Sequence, residues 1–108
     1  MSDDNLAFFW SLAEPHLTEE NIVKSTMMGF PCLRVNGDFF ASVHHKTGDL
    51  IVKLPANRVL DLIETEVGEP FAPNGRRFKE WVAISNRDET LWQQLIHEAR
   101  AFVMSSHQ

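Results

Sequence analysis

Two turn signals, Asn36-Gly37 and Thr47-Gly48, divide residues 34–54 into three short runs rich in valine, phenylalanine and isoleucine. Asn-Gly is the favoured pair for a tight type I′ hairpin, because both of its central residues need a positive φ. The segment therefore predicts an antiparallel meander. In the strand after Asn36-Gly37, strict alternation predicts two faces. One face carries Phe39, Ala41 and Val43, and the other carries Phe40, Ser42 and His44.

The hydrophobic pattern on either side of the meander predicts helices and further strands. Residues 3–14 form an apolar stripe that Pro15 ends, and residues 55–66 form a second stripe for which Gly68 is the expected C-cap. A third helix follows Asn86 or Asp88 as its N-cap. Further strands are expected at residues 22–28, at residues 32–35 after a break at Gly29-Phe30-Pro31, and at residues 78–84. This order predicts an α+β domain of two layers, in which an antiparallel sheet of about five strands packs with three helices.

Composition narrows the classes of function. A chain of 108 residues suits one domain, spanning residues 1–108. The net charge of -5 and the pI of 5.4 mean that the overall field repels phosphate, so charge alone does not favour nucleic acid or an anionic membrane as a partner. Cys32 is the only cysteine, which excludes an intrachain disulfide and favours a cytoplasmic location. No apolar run approaches the ~18 residues of a membrane span, and no targeting segment is expected.

Four segments carry a resemblance to a known family. They are residues 26–30, TMMGF; residues 33–41, LRVNGDFFA; residues 50–54, LIVKL; and residues 75–82, GRRFKEWV. With the helix order, they resemble the N-terminal domain of the TfoX/Sxy competence regulators and the related YjbR-like proteins, from about residue 22 to the C-terminus. The resemblance implies an α+β domain with an antiparallel sheet, no catalytic residues, and a regulatory role in which DNA is a proposed ligand. The sequence ends soon after the last expected helix, so the C-terminal helical domain of the full-length regulators is not expected here.

One short segment concentrates the basic residues. Arg76, Arg77 and Lys79 are three of the ten lysines and arginines, and they fall within four positions that also include an aromatic residue. Cationic groups interleaved with aromatic rings are suited to binding a phosphate backbone or an acidic peptide. These three residues are therefore the candidate partner-binding residues.

A solvated strand face is the alternative interpretation of the same segment. In that case the cations pair with acids such as Glu69 and Glu80, while Phe78 and Trp81 pack inward. Surface ion pairs are common and contribute little to stability, so the sequence alone favours this alternative.

No other group of residues predicts chemistry. His44 and His45 point to opposite faces of an extended strand, so the pair is not expected to hold a metal ion. A free cysteine such as Cys32 is more often a small buried hydrophobic residue than a nucleophile. We therefore expect no catalytic, metal-binding or cofactor-binding residue, and no cofactor.

Two functions from different classes remain open. The first is a non-enzymatic binding or regulatory domain of the TfoX N-terminal type, which engages nucleic acid or an acidic partner through the basic segment. The second is a protein-interaction or self-associating module, a homodimer for example, that uses an exposed sheet edge or the aromatic surface of a helix. An enzyme is a distant third, because it needs titratable residues that converge in a deep cleft.

Overall fold

The computed structural model describes residues 2–27, 30–44, 47–72, 75 and 78–105. The chain begins with an α-helix and a short 3-10 helix, continues through four strands, and ends with two α-helices separated by two more strands. The elements are α1 (Ser2–Ala13), the 3-10 helix (Glu14–Thr18), β1 (Ile22–Met27), β2 (Phe30–Val35), β3 (Asp38–Val43), β4 (Leu50–Lys53), α2 (Ala56–Glu64), β5 (Glu69–Pro70), β6 (Trp81–Ile84) and α3 (Glu89–Ser105). Within the described ranges, no helix has both the length and the apolar content that crossing a bilayer requires.

The strands form one sheet in the order β1-β2-β3-β4-β6-β5, and all neighbouring strands are antiparallel. The expected α+β class, with an antiparallel sheet and three α-helices, is confirmed. The expected number of about five strands is one too low, because the sequence pattern places Glu69 and Pro70 in a loop. These residues instead pair with Ala83 and Val82 as the short edge strand β5.

The Asn36-Gly37 hairpin has the predicted conformation. The φ angle is 53° at Asn36 and 89° at Gly37, as a type I′ turn requires. Val35 pairs with Asp38 across the turn. The backbone N–H of Asn36 also donates to the carbonyl of Asn21 at 2.9 Å, which ties the turn to the start of β1.

The strict alternation predicted for β3 is wrong, because the strand contains a β-bulge. Leu33 pairs with Ala41, but the next residue of β2, Arg34, pairs with Phe39, which leaves Phe40 as an extra residue in β3. An extra residue in one strand changes the direction of the side chains around it. Phe40 and Ala41 accordingly both lie in the main core, whereas Phe39 contacts Arg34 outside it.

All three α-helices contribute to one core on one side of the sheet. The most buried helix residues of this core are Phe9 and Ala13 of α1, Val59 and Leu62 of α2, and Trp92, Leu95, Ile96, Ala99 and Val103 of α3. Trp92 packs edge-on against Phe8 with the ring centroids 4.8 Å apart. Its indole N–H donates to the Asn86 carbonyl at 2.8 Å, so the large ring is buried without an unpaired donor.

The opposite side of the sheet carries no helix among the described residues, and we call it the helix-free face. By strand pairing and alternation it carries Val23, Ser25, Cys32, Arg34, Phe39, Ser42, Ile51, Lys53, Glu69, Trp81 and Ala83. Cys32, Ser42 and Ile51 are buried, but none of them belongs to the main core. The Ser42 hydroxyl is satisfied there because it donates to the Pro31 carbonyl at 2.7 Å.

Gly68 has a different role from the helix cap predicted for it. Helix α2 ends at Glu64, and the left-handed residue that follows is Glu66, with a φ of 63°. A Cβ atom on Gly68 would lie 2.6 Å from Val82 Cγ2 and 3.1 Å from Ile84 Cδ1. Gly68 is therefore required for the close approach of the chain to β6.

Several predicted element ends are confirmed or corrected by local contacts. Asp88, one of the two predicted caps, accepts the Leu91 N–H at 3.1 Å and begins α3. Pro15 does not stop the helical conformation, since it lies within the first turn of the 3-10 helix. Phe30 and Pro31 belong to β2 and not to a break, and β6 begins at Trp81, three residues later than predicted.

Candidate functional site: a lysine and aromatic cleft

The structure places one of the three predicted partner-binding residues. Lys79 is exposed in the turn that precedes β6, whereas Arg76 and Arg77 lie outside the described residues. The neighbouring Phe78 donates its backbone N–H to the Phe71 carbonyl at 3.1 Å. This bond ties the turn that carries Lys79 to the chain just beyond β5.

Lys79 lines an open cleft of about 440 Å³ that we call the lysine cleft. Its lining residues are Lys53, Ala56, Phe78, Lys79, Glu80 and Trp81. Lys53 ends β4 directly opposite Trp81 of β6, so the two side chains share the helix-free face. The Leu54 N–H donates to the Glu80 carbonyl at 2.8 Å, which holds the two strand ends together.

The sequence pattern did not indicate that Lys53 belongs to this site. In the sequence, Lys53 is a single lysine within the apolar run LIVKL. Lys53 and Trp81 are 28 positions apart in the sequence, and the pairing of β4 with β6 brings them together. Such pairing depends on the whole sheet, and no local signal marks it.

Two aromatic rings, those of Phe78 and Trp81, line the lysine cleft, and both contact the buried ring of Phe71. Phe71 is only 6% exposed, and its ring centroid lies 5.9 Å from that of Phe78 and 6.3 Å from that of Trp81. Phe78 remains 37% exposed, so it is not packed inward as the solvated-face alternative expects. Phe71 therefore anchors two rings that remain partly open to solvent.

The two lysines of the cleft have no ion-pair partner among the described carboxylates. The ion pairs within the described ranges involve Arg58 and Arg100. Lys79 thus does not pair with Glu69 or Glu80, which the solvated-face alternative expects. Glu80 nevertheless lines the same cleft and reduces its positive potential.

A second depression lies between α2 and α3, and the cation in it, Arg58, is held by carboxylates. Arg58 donates from Nε to Glu98 Oε1 at 3.0 Å and from NH1 to Asp61 Oδ2 at 2.9 Å. Burial tends to raise the pKa of the Glu98 carboxyl, but hydrogen bonds from Arg58 and Gln94 lower that pKa below its usual range. Because Arg58 is held by two carboxylates, this depression is stabilised internally and offers no open cationic site.

Cys32 and His44 make contacts that contribute to the fold. Burial raises the pKa of the Cys32 thiol to about 11, which keeps it protonated and unreactive at neutral pH. His44 accepts the Thr47 N–H on Nδ1 at 3.4 Å and closes the turn before β4, while His45 lies outside the described residues. In the part of the chain that the structure describes, no group of three or more His, Cys, Asp or Glu residues is arranged to hold a metal ion.

Comparison with known proteins gives no match: no family model, no curated protein and no solved structure is significantly similar to this chain. The candidate function therefore depends on the geometry of the lysine cleft and the helix-free face.

Proposed function

We propose that this chain is a non-enzymatic binding domain of the TfoX N-terminal type that engages nucleic acid through the lysine cleft. The observation that carries the proposal is the pair of Lys53 and Lys79, which share one cleft with partly exposed aromatic rings and form no ion pair with a described carboxylate. Free ammonium groups contact phosphates, and exposed rings supply stacking surfaces for bases.

The local arrangement offsets the unfavourable net charge of -5. Electrostatic attraction between exposed charges falls off over a Debye length of about 8 Å at physiological salt, so nearby groups dominate what a bound phosphate experiences. Arg76 and Arg77 directly precede Phe78 in the sequence, so the segment that includes Lys79 contains two further positive charges. The domain then acts in regulation and not in catalysis.

The test is a titration of a fluorescently labelled oligonucleotide followed by anisotropy at about 50 and 200 mM salt. Lys53→Gln combined with Lys79→Gln should weaken binding and lower the slope of log K against log salt by about 1.4 to 1.8, since each phosphate contact contributes about 0.7 to 0.9. Arg76→Ala combined with Arg77→Ala should weaken binding in the same direction.

The matched control is Lys24→Gln combined with Arg87→Gln, which removes the same number of charges. Lys24 lies over the Trp10 ring and Arg87 over the Phe8 ring, each about 5.0 Å from the centroid, on the helix side of the sheet. If the control and cleft variants lose the same affinity, the loss is caused by the change in net charge and not by the cleft. Absence of binding at low salt, or unchanged affinity in the cleft variant, would refute the proposal.

A second candidate, self-association, is favoured by the free edge of β1. The Asn36 N–H bonds to Asn21, so the alternate residues Lys24 and Thr26 direct their N–H and C=O groups away from β2, whereas the Ile22 N–H already donates to the Glu19 carbonyl at 3.2 Å. Antiparallel pairing of two copies about Val23, which is 49% exposed, would bring these valines together. Light scattering over a range of concentrations tests this, with Val23→Lys as the disrupting variant, and a monomer at every concentration would refute it.

A further inference from the structure

Arg34 is a second cation on the helix-free face, and its contacts are unusual. Its guanidinium carbon lies 4.3 Å from the centre of the Phe39 ring. Its Nε atom is buried and has no hydrogen-bond partner among the described residues. No described carboxylate forms an ion pair with it. Buried polar groups in folded proteins are nearly always paired, so an unpaired guanidinium nitrogen calls for an explanation.

Strand pairing places Arg34 in line with the lysine cleft. Arg34 of β2 is opposite Phe39 of β3, and Lys53 of β4 is opposite Trp81 of β6. Because the bulge turns Phe40 into the main core, Phe39 lies on the helix-free face with the other three. Across the sheet the order is therefore cation, aromatic ring, cation, aromatic ring. Four strands at about 4.8 Å spacing make this row roughly 14 Å wide.

We infer that the helix-free face recognises single-stranded nucleic acid, which lies across β6, β4, β3 and β2 with Trp81 and Phe39 as two stacking points. This inference rests on the proposed function. Unpaired bases stack on aromatic rings and on guanidinium planes, while neighbouring cations contact the phosphates between them. The Arg34 guanidinium, which lies over the Phe39 ring, supplies both a plane and a charge.

A duplex fits this face less well than a single strand. Its base faces are covered by stacking, and its grooves accept an α-helix or a two-stranded ribbon, whereas the four residues of this row belong to a six-stranded sheet. An acidic peptide would use the cations but has no bases to stack on the rings. The alternation of cations with aromatic rings therefore favours the single strand over both.

The experiment compares three labelled ligands of matched length by anisotropy at physiological salt: oligodeoxythymidine, its duplex with oligodeoxyadenosine, and polyglutamate. Oligodeoxythymidine should bind at least about tenfold more tightly than the other two, because stacking of one base contributes roughly that factor or more. Phe39→Leu should lose about tenfold in affinity, and Phe39→Tyr, which keeps the ring, should retain it. Arg34→Gln should lower the salt slope by about 0.7.

Phe102→Leu is the matched control, since Phe102 is a half-buried phenylalanine of α3 that packs on the main core. It should leave affinity unchanged, and thermal melts confirm that each variant is folded. If single strand, duplex and polyglutamate bind alike and Phe39→Leu has no effect, while the Lys53 and Lys79 variant still weakens binding, the inference is wrong and the proposed function stands. If no ligand binds, both are wrong.

Discussion

Replacement of Gly68 by alanine tests the packing of the chain against β6. The added Cβ would lie 2.6 Å from Val82 Cγ2, whereas carbon atoms pack best at about 3.5–4.0 Å. About 1 Å of overlap must be relieved by moving the strand or by rotating Val82, whose β-branched side chain has few rotamers.

The expected cost follows from two opposing effects. Overpacking of a core position lowers stability by about 1–3 kcal/mol. Alanine has less conformational freedom than glycine in the unfolded chain, which raises stability by about 0.4–1 kcal/mol. We therefore expect Gly68→Ala to lower the free energy of unfolding by about 1–2 kcal/mol. For a domain of this size, the thermal midpoint should fall by about 5–15 °C.

A double-mutant cycle identifies the cause. Urea unfolding, followed by tryptophan fluorescence, is measured for Gly68→Ala, Val82→Ala and the double variant. Val82→Ala removes the methyl group that the new Cβ meets, so the cost of Gly68→Ala should shrink by at least about 1 kcal/mol in that background. Additive costs, or a Gly68→Ala protein as stable as the original, would show that the close approach to β6 has no energetic weight.

Three further predictions concern single positions. Glu66→Gly should raise the free energy of unfolding by about 0.5–1 kcal/mol, because the residue has a left-handed φ of 63°; no gain on urea unfolding would contradict this. The Cys32 thiol, with its pKa raised by burial to about 11, should resist a thiol reagent at about pH 8 until the chain is unfolded. Burial and the Arg100 guanidinium lower the pKa of His16 below 6.5. Just below pH 6.5, His16 is therefore protonated more in the unfolded chain than in the folded chain. Thermal stability should therefore decrease as the pH falls through about 6.5, and His16→Asn should flatten that dependence.

Local chemistry explains which parts of the fold were predictable from the sequence. The Asn36-Gly37 turn needs only two residues that accept positive φ, and both adopt it. Asp88 caps α3 through its own side chain, three residues from the N–H that it accepts. Features of this kind depend on neighbours in the sequence, so the pattern of residue types reveals them.

The bulge at Phe40 and the steric role of Gly68 were not predictable, because their causes are distant in the sequence. The register of β3 depends on its pairing with β2, and the space available at Gly68 depends on Val82 of β6. The candidate site divides in the same way. Lys79 was identified within a local basic run, whereas Lys53 and Arg34 join the surface only through strand pairing.

Because the described helices all pack on one side of the sheet, inward and outward residues of β4 and β6 are under different constraints. The inward residues must fit the core, and the outward residues need not. In β4, Val52 faces the core and Lys53 faces outward, and in β6 the same holds for Val82 and Trp81. Replacing an outward residue leaves its inward neighbour in place. At Lys53 and Trp81, substitutions can therefore change the chemistry of the helix-free face while Val52 and Val82 keep their contacts in the core.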